Sequence, residues 1–184
     1  YLLIAVTCTE LIEQGWSPTC DSRPAEPGEW GVLKAGCTAN GVYRPGENKA
    51  LLAGDEPRAA IEVRPGDLIM SRASGSRHIV GSCAIVSPSE SRLMLSDKHF
   101  RLFASSHSTT TDFVWLALAS RPSRVQIELN TSGAEGLANN LPQSELLNVV
   151  IATPPLFEQS RLVRETVSRL RALDDSSAAL SLSL

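Results

Sequence analysis

Residues 151–173 read Ile-Ala-Thr-Pro-Pro-Leu-Phe-Glu-Gln-Ser-Arg-Leu-Val-Arg-Glu-Thr-Val-Ser-Arg-Leu-Arg-Ala-Leu, and they decide how the chain is organised. A short apolar run, 147–151, enters Pro154-Pro155, after which neither Gly nor Pro occurs up to residue 184. Pro154 disfavours the α region for its predecessor, and Pro155 already has the φ of a first helical turn. The pair is predicted to separate a compact body, 1–153, from a helix, 154–184. Leu156, Val163 and Leu170 recur every seven residues, in a series continued by Ser177 and Leu184. Thr166, Leu173 and Leu180 fall three residues after members of that series. Such a/d spacing, with Arg and Glu on the flanks, predicts a coiled-coil seam for a partner helix. An amphipathic helix lying on its own body has the same pattern, so spacing alone leaves both readings open.

Upstream, short apolar segments alternate with turn signals. Strands are predicted at 30–34, 47–52, 60–64, 68–70, 79–86, 93–95, 99–103 and 147–151. A hairpin is predicted across 36–45, around Asn40-Gly41. Segment 112–119 has helical spacing with Thr111 or Asp112 as cap, 125–129 reads as strand or as its continuation, and 142–147 makes one helical turn. A short helix is expected at 9–14. Trp16 and Trp30 bracket a Pro- and Gly-rich loop and are expected to pin it to the body. The fold class is therefore α+β: a mixed, mostly antiparallel twisted sheet, a few helices, and one long C-terminal helix.

The composition is globular, with 42% apolar and 20% charged residues, and the net charge is −3. Bulk charge does not announce a polyanion partner, but its distribution is uneven. Residues 1–33 carry Glu10, Glu13, Asp21, Glu26 and Glu29 against Arg23, whereas 58–101 carry seven bases against four acids. Local fields are what a polyanion meets. Cys8, Cys20, Cys37 and Cys83 form no CxxC pair, so reduced apolar cysteines in a cytoplasmic protein are expected rather than disulfides or zinc ligands. The apolar start, 1–6, is too short for a membrane span and lacks the flanks of a signal peptide.

No catalytic constellation emerges. His78, His99 and His107 form no HExxH, no GxSxG elbow exists, and the glycines make no phosphate loop. No metal or cofactor is expected. Binding has better material. The loop 71–78, Ser-Arg-Ala-Ser-Gly-Ser-Arg-His, offers Arg72, Ser74, Ser76, Arg77 and His78 to phosphates and base edges. Lys34, Tyr43, Arg44 and Lys49 form a second candidate group, and Ser132, Asn139 and Asn140 in the polar loop 131–140 form a third. A solvated hairpin tip and a flexible connector are the plainer readings of the two loops.

An ordered set of motifs resembles the specificity subunit of type I restriction-modification enzymes. They are Pro65-Gly-Asp-Leu-Ile69, Ser71-Arg-Ala-Ser74, Val80-Gly81, Ser132-Gly133 and Pro154-Pro-Leu-Phe-Glu-Gln159, preceded by Gly15-Trp-Ser-Pro-Thr-Cys20, Glu29-Trp-Gly-Val-Leu-Lys34 and Glu47-Asn-Lys-Ala-Leu51. The resemblance implies a DNA target-recognition domain followed by a spacer helix, without catalysis of its own. It implies double-stranded DNA, methyltransferase subunits and a restriction subunit as partners. The helix would pair with a second recognition half or a second copy, whereas the typical subunit carries two recognition domains. Two other readings remain: a scaffold module working through its helix, and the recognition domain of a fused restriction-methylation enzyme.

Overall fold

In the computed structural model, residues 2–3, 12–105, 107–134 and 137–181 are described, with 2–3 and 174–181 as backbone only. The strands are β1 (Leu2–Leu3), β2 (Glu13–Gln14), β3 (Trp30–Leu33), β4 (Asn48–Ala50), β5 (Leu68–Ser71), β6 (Ala73–Ser74), β7 (Cys83–Ile85), β8 (Arg92–Met94) and β9 (His99–Leu102). Then come α1 (Thr111–Ala119), α2 (Arg121–Asn130), β10 (Asn139–Asn140), α3 (Gln143–Leu147), β11 (Val150–Ile151) and α4 (Leu156–Ser181).

Strand β5 is buried at all four positions and sits between β9 and β7 in an antiparallel sheet ordered β2-β9-β5-β7. Successive strand side chains point to opposite faces, so β5 feeds two cores. Leu68 and Met70 pack with Val114 and Leu118 of α1, Ile127 of α2, Leu146 of α3 and Ile151 of β11. Ile69 packs with Leu33 of β3, Leu93 of β8, Cys37, Tyr43 and Val63. That second layer is the sheet β4-β3-β8, in which β3 and β8 are the parallel pair of a mostly antiparallel fold.

Strand β9 is equally two-sided but chemically split. Phe100 and Leu102 join the helix-side core, while His99 and Arg101 alternate with them. The Arg101 guanidinium meets Glu13 of β2 at 3.1 Å and Asp67 at 3.2 Å, and donates to the Glu62 carbonyl at 2.6 Å. One buried cation thus holds the edge strand and the turn entering β5. Removing a partner from such a group typically costs about 3–5 kcal/mol. His99 places Nδ1 2.8 Å from Ser96 Oγ and Nε2 3.3 Å from Cys37 Sγ. The arrangement has the outline of a nucleophilic dyad, yet both residues are fully buried. Burial lowers the imidazole to about 4 and pushes the thiol up to about 12. Both groups stay neutral, and the thiolate that such chemistry needs does not form.

The sequence expectations hold at β3, β4, β5, β8, β9, α1, α3 and the long helix α4. Segments 79–86 and 147–151 are strand only at β7 and β11, and the remaining segments differ. The strands that flank 36–45, β3 and β4, do pair antiparallel, but 36–45 is not a tight turn. It contains a 3-10 helix, Ala35–Gly41, that kinks at Ala39 and Asn40. Asn40 (φ 60) and Gly41 (φ 76) provide the left-handed step there, and Cys37 and Thr38 are buried by it. Segment 60–64 is a 3-10 turn, Ala59–Ile61, followed by a single bridge from Glu62 to Met94. Residues 13–14 of the expected first helix are strand, and 9–11 lie outside the described residues. Segment 125–129 belongs to α2, whose close approach Gly81 permits: a Cβ there would meet Ile127 Cγ2 at 2.4 Å. The cap of α1 is Thr110, whose side chain accepts from the Phe113 amide at 3.2 Å. Trp16 and Trp30 are each covered by a guanidinium 3.9 Å from the ring centroid, those of Arg58 and Arg92.

Helix α4 begins against α1. Val163 and Val167 face Trp115 and Asp112 across a cleft of about 310 Å³, and Gln159 is fully buried. Of the seam, Val163 and Thr166 are half-buried, while Leu156, Leu170 and Leu173 are 40%, 48% and 63% exposed. The side chain of Leu180 lies outside the described residues. The helix lies on its own body around Gln159, Val163 and Val167 and carries uncovered leucines at 170 and 173. Among the described residues, no helix is long and apolar enough to cross a membrane, and no group of three or more His, Cys, Asp or Glu could hold a metal ion.

Gly81→Ala should lower stability by about 1–3 kcal/mol, read as a lower urea midpoint, because positive φ and contact with Ile127 both oppose a side chain. His99 predicts the sign of a pH effect. Its folded pKa of about 4 lies below an unfolded value of about 6.5, so the unfolded chain takes up the proton first. Stability should be retained above pH ~6.5 and fall by up to about 3 kcal/mol as pH drops toward ~4. His99→Gln should remove that part of the slope.

Candidate nucleic-acid interface

Two polar loops far apart in sequence form one structure. Strands β6 and β10 pair antiparallel, Ser74 opposite Asn139 and Ala73 opposite Asn140. Ser132 and Asn140 exchange both backbone hydrogen bonds at 2.9 Å, adding a third, bridged segment. Gly133, at φ +118, makes that layering possible: a Cβ would lie 2.7 Å from the Ala138 carbonyl oxygen and 2.8 Å from Asn139 Cα. The Leu141 amide donates to the Arg72 carbonyl at 2.8 Å, closing the ribbon onto the end of β5.

The candidate side chains divide by what they already touch. Arg72 donates to Asn140 Oδ1 at 2.6 Å and to the Asp97 carbonyl at 3.2 Å, and its guanidinium lies 5.2 Å from the Phe100 ring centroid. It ties β6, β10 and the turn before β9 together. Asn139 is fully buried and donates Nδ2 to the Leu137 carbonyl at 3.0 Å, holding the turn that presents Leu137 outward. Ser74 accepts from the Ser76 amide at 3.1 Å, and Ser76 pairs with His78 Nδ1 at 3.0 Å. Arg77 donates to the Glu128 and Thr131 carbonyls at 2.8 and 3.4 Å, capping the C-terminus of α2 where a cation suits the helix dipole. Its Nη1 and Nε make no hydrogen bond among the described residues. Exposed on this side are Gly75, Arg77, His78, Lys98, Ser132, Gly133 and Leu137.

In the second group, Tyr43 belongs to the second core, and burial pushes its hydroxyl well above the usual range. Arg44 donates to the Ala39 carbonyl, bracing the kinked 3-10 segment from within. Direct DNA contact was expected of both; the Tyr43 hydroxyl is buried without a hydrogen-bond partner among the described residues, and Arg44 is half-buried with Nη1 on that carbonyl. Lys49 is exposed on β4, and Lys34 is half-buried. This segment is tied to the same strand end as the ribbon. Ser71, the last residue of β5, donates to the Ala35 carbonyl at 2.6 Å and lies 2.8 Å from Thr38 Oγ1.

The turn 96–98 borders the ribbon, its Asp97 and Lys98 carbonyls accepting from Arg72. Ser17 donates to Asp97 Oδ1 at 2.5 Å, and Lys98 meets Asp97 at 3.1 Å with half its side chain exposed. Burial pushes the Asp97 carboxyl up, but the Ser17 hydroxyl, Lys98 and Arg72 outweigh it and hold the group below the ordinary range. Asp97 neutralises part of the local positive charge and keeps Lys98 at the surface. An Asp-Lys pair before an apolar strand was visible, but no motif marked it.

No protein-family model matches the chain. Among curated proteins it is 34% identical over 154 residues to the type I restriction enzyme EcoEI specificity subunit of Escherichia coli, an alignment covering 83% of this chain and 26% of that protein. Among solved structures it resembles the S subunit of the type I restriction-modification system of M. genitalium, with TM-score 0.61, 12% identity, and 96% of this chain on 40% of that one. It also resembles the HsdS subunit of Thermoanaerobacter tengcongensis, with TM-score 0.57, 20% identity, and all of this chain on 39% of that one. A third neighbour, described in a study of complex assembly and conformational transition in a type I system, gives TM-score 0.58 at 21% identity over 97% of this chain and 40% of that one. The chain thus spans about a quarter of its curated relative and about two-fifths of these structures. In sequence it is similar to part of a type I restriction enzyme specificity subunit, and in fold it is similar to part of the S subunits of such systems.

Proposed function

We propose that the chain is a sequence-specific reader of double-stranded DNA in a type I restriction-modification complex. The body, 1–153, would read one half of a bipartite site, and the helix, 154–184, would act as spacer. The relationship to a specificity subunit over 83% of the chain carries this reading. Geometry supports it: the ribbon of β6, β10 and 132–133 brings exposed Arg77, His78 and Ser132 together beside Lys98 on a frame tied by hydrogen bonds. Backbone N–H groups, Ser and Lys/Arg position a duplex, and base edges specify it. Catalysis would reside in methyltransferase and restriction subunits. The uncovered Leu170 and Leu173 suit pairing of the helix with a second recognition half or a second copy of the chain.

The residues take two roles. Lys49, Lys98, Arg77, His78, Ser76 and Ser132 would touch the duplex, with Lys34 and Ser74 nearby. Arg72, Asn139 and Asn140 would shape the ribbon that presents them. Each lost phosphate contact lowers the slope of log K against log salt by roughly one. In duplex titrations of the full chain assembled with methyltransferase subunits, Lys49→Ala, Lys98→Ala and Arg77→Ala should each flatten the slope by about that amount. Arg72→Ala should weaken binding several-fold and leave the slope unchanged. A slope reduced by Arg72→Ala would make it a phosphate contact, and a complex that binds all duplexes alike would remove the DNA-reading proposal.

A further inference from the structure

Helix α4 is attached to the body by little that is directional. Its apolar contacts, Val163 and Val167, are half-buried and face a cleft of about 310 Å³ beside Trp115, so jigsaw packing does not fix its tilt. One side chain does. Gln159 is the only fully buried residue of the helix among those described, and its amide is saturated. Nε2 donates to the carbonyls of Ser108 and Pro154, both at 2.8 Å. Oε1 accepts from Thr109 Oγ1 at 3.2 Å and from the Thr110 amide at 3.1 Å. Those partners are the segment that caps α1 and the hinge residue just before α4. The four bonds point in fixed directions from one planar group, so they define an orientation, which apolar contact does not.

We infer that Gln159 is the positioning residue that sets the direction in which α4 leaves the body. Resting on the reading proposed above, it would thereby set the gap between the half-site read here and the one read across the helix pair. Neither a carboxylate nor a thioether reproduces the set. Glu at this position presents a lone pair where the two carbonyls need N–H donors, and Met fills the volume without any hydrogen bond.

The test uses the full chain with spin labels at the exposed Ser89 and Ser168, attached by non-cysteine chemistry because Cys20 is only half-buried. The unmutated protein should give one narrow distance distribution. Gln159→Met should keep the far-ultraviolet circular dichroism of the parent while the distribution at least doubles in width, and Gln159→Glu should shift or broaden it likewise. A distribution as narrow and centred as the parent's in Gln159→Met overturns the assignment. In complexes with methyltransferase subunits, Gln159→Met should also methylate sites whose half-sites are one base pair closer or farther apart. A broadened distribution with an unchanged gap preference would overturn the link to spacing. Failure of the unmutated complex to select any DNA sequence would instead count against the DNA reading, and the distance measurement would still decide the clamp.

Discussion

Two-sided burial of β5 is the constraint from which the rest follows. Four consecutive residues, Leu68 to Ser71, are removed from water on both faces, so each face must be covered by a separate layer. The helices cover one face and the β4-β3-β8 sheet the other. The same demand shapes β9, which meets the helices with Phe100 and Leu102 and the second layer with His99 and Arg101. Burying a cation and an imidazole is tolerated there because each has close partners: two carboxylates and a carbonyl around Arg101, a hydroxyl and a thiol around His99. The strand then leaves the core at Ser71, and the next residue, Arg72, begins the ribbon. The ribbon proposed as the recognition surface is a direct continuation of a strand buried at all four positions.

That continuity explains why loop side chains of the right chemistry do not all face outward. A ribbon built from two-residue strands has few backbone bonds, and polar side chains supply the rest of its rigidity. Arg72 and Asn140 bond to each other, and Asn139 spends its amide on the turn that raises Leu137. A duplex is read by groups held in place before it arrives, since fixing loops on binding costs affinity. In the proposed reading, the internal ties and the exposed Lys98, Arg77 and Ser132 act together.

The elements legible in the sequence were those whose periodicity or punctuation reflects burial. The apolar run at 68–70, the alternation of β9 and the Pro154-Pro155 hinge all did so. At 36–45 the left-handed step and the antiparallel pairing of the flanking strands were legible, and the form of the connection was not. Asn40 and Gly41 do adopt positive φ, but the same dihedrals end a 3-10 helix as well as a hairpin turn, and only the burial of Cys37 and Thr38 distinguishes them. At 60–64 the alternation of Ile61 and Val63 matches their burial, although hydrogen bonding there amounts to one bridge. The pairing of β6 with β10 left no periodic trace, because strands of two residues have no period. Gln159 stood inside a motif, but its buried amide depends on the loop 108–110, which no local pattern connects to it. Tyr43 and Arg44 were read by residue type alone, which does not distinguish an aromatic or a cation at a surface from one bracing a turn.

The central proposal is that this body selects DNA sequence through the ribbon joined to β5. Reconstituting the chain with methyltransferase subunits and sequencing the methylated positions across a bacterial genome tests that claim most directly. Methylation should fall on one short recurring motif, and replacing His78, Lys98 and Ser132 together should alter or relax that motif while the complex still assembles. Methylation without sequence preference, or a motif identical in the substituted chain, would contradict it.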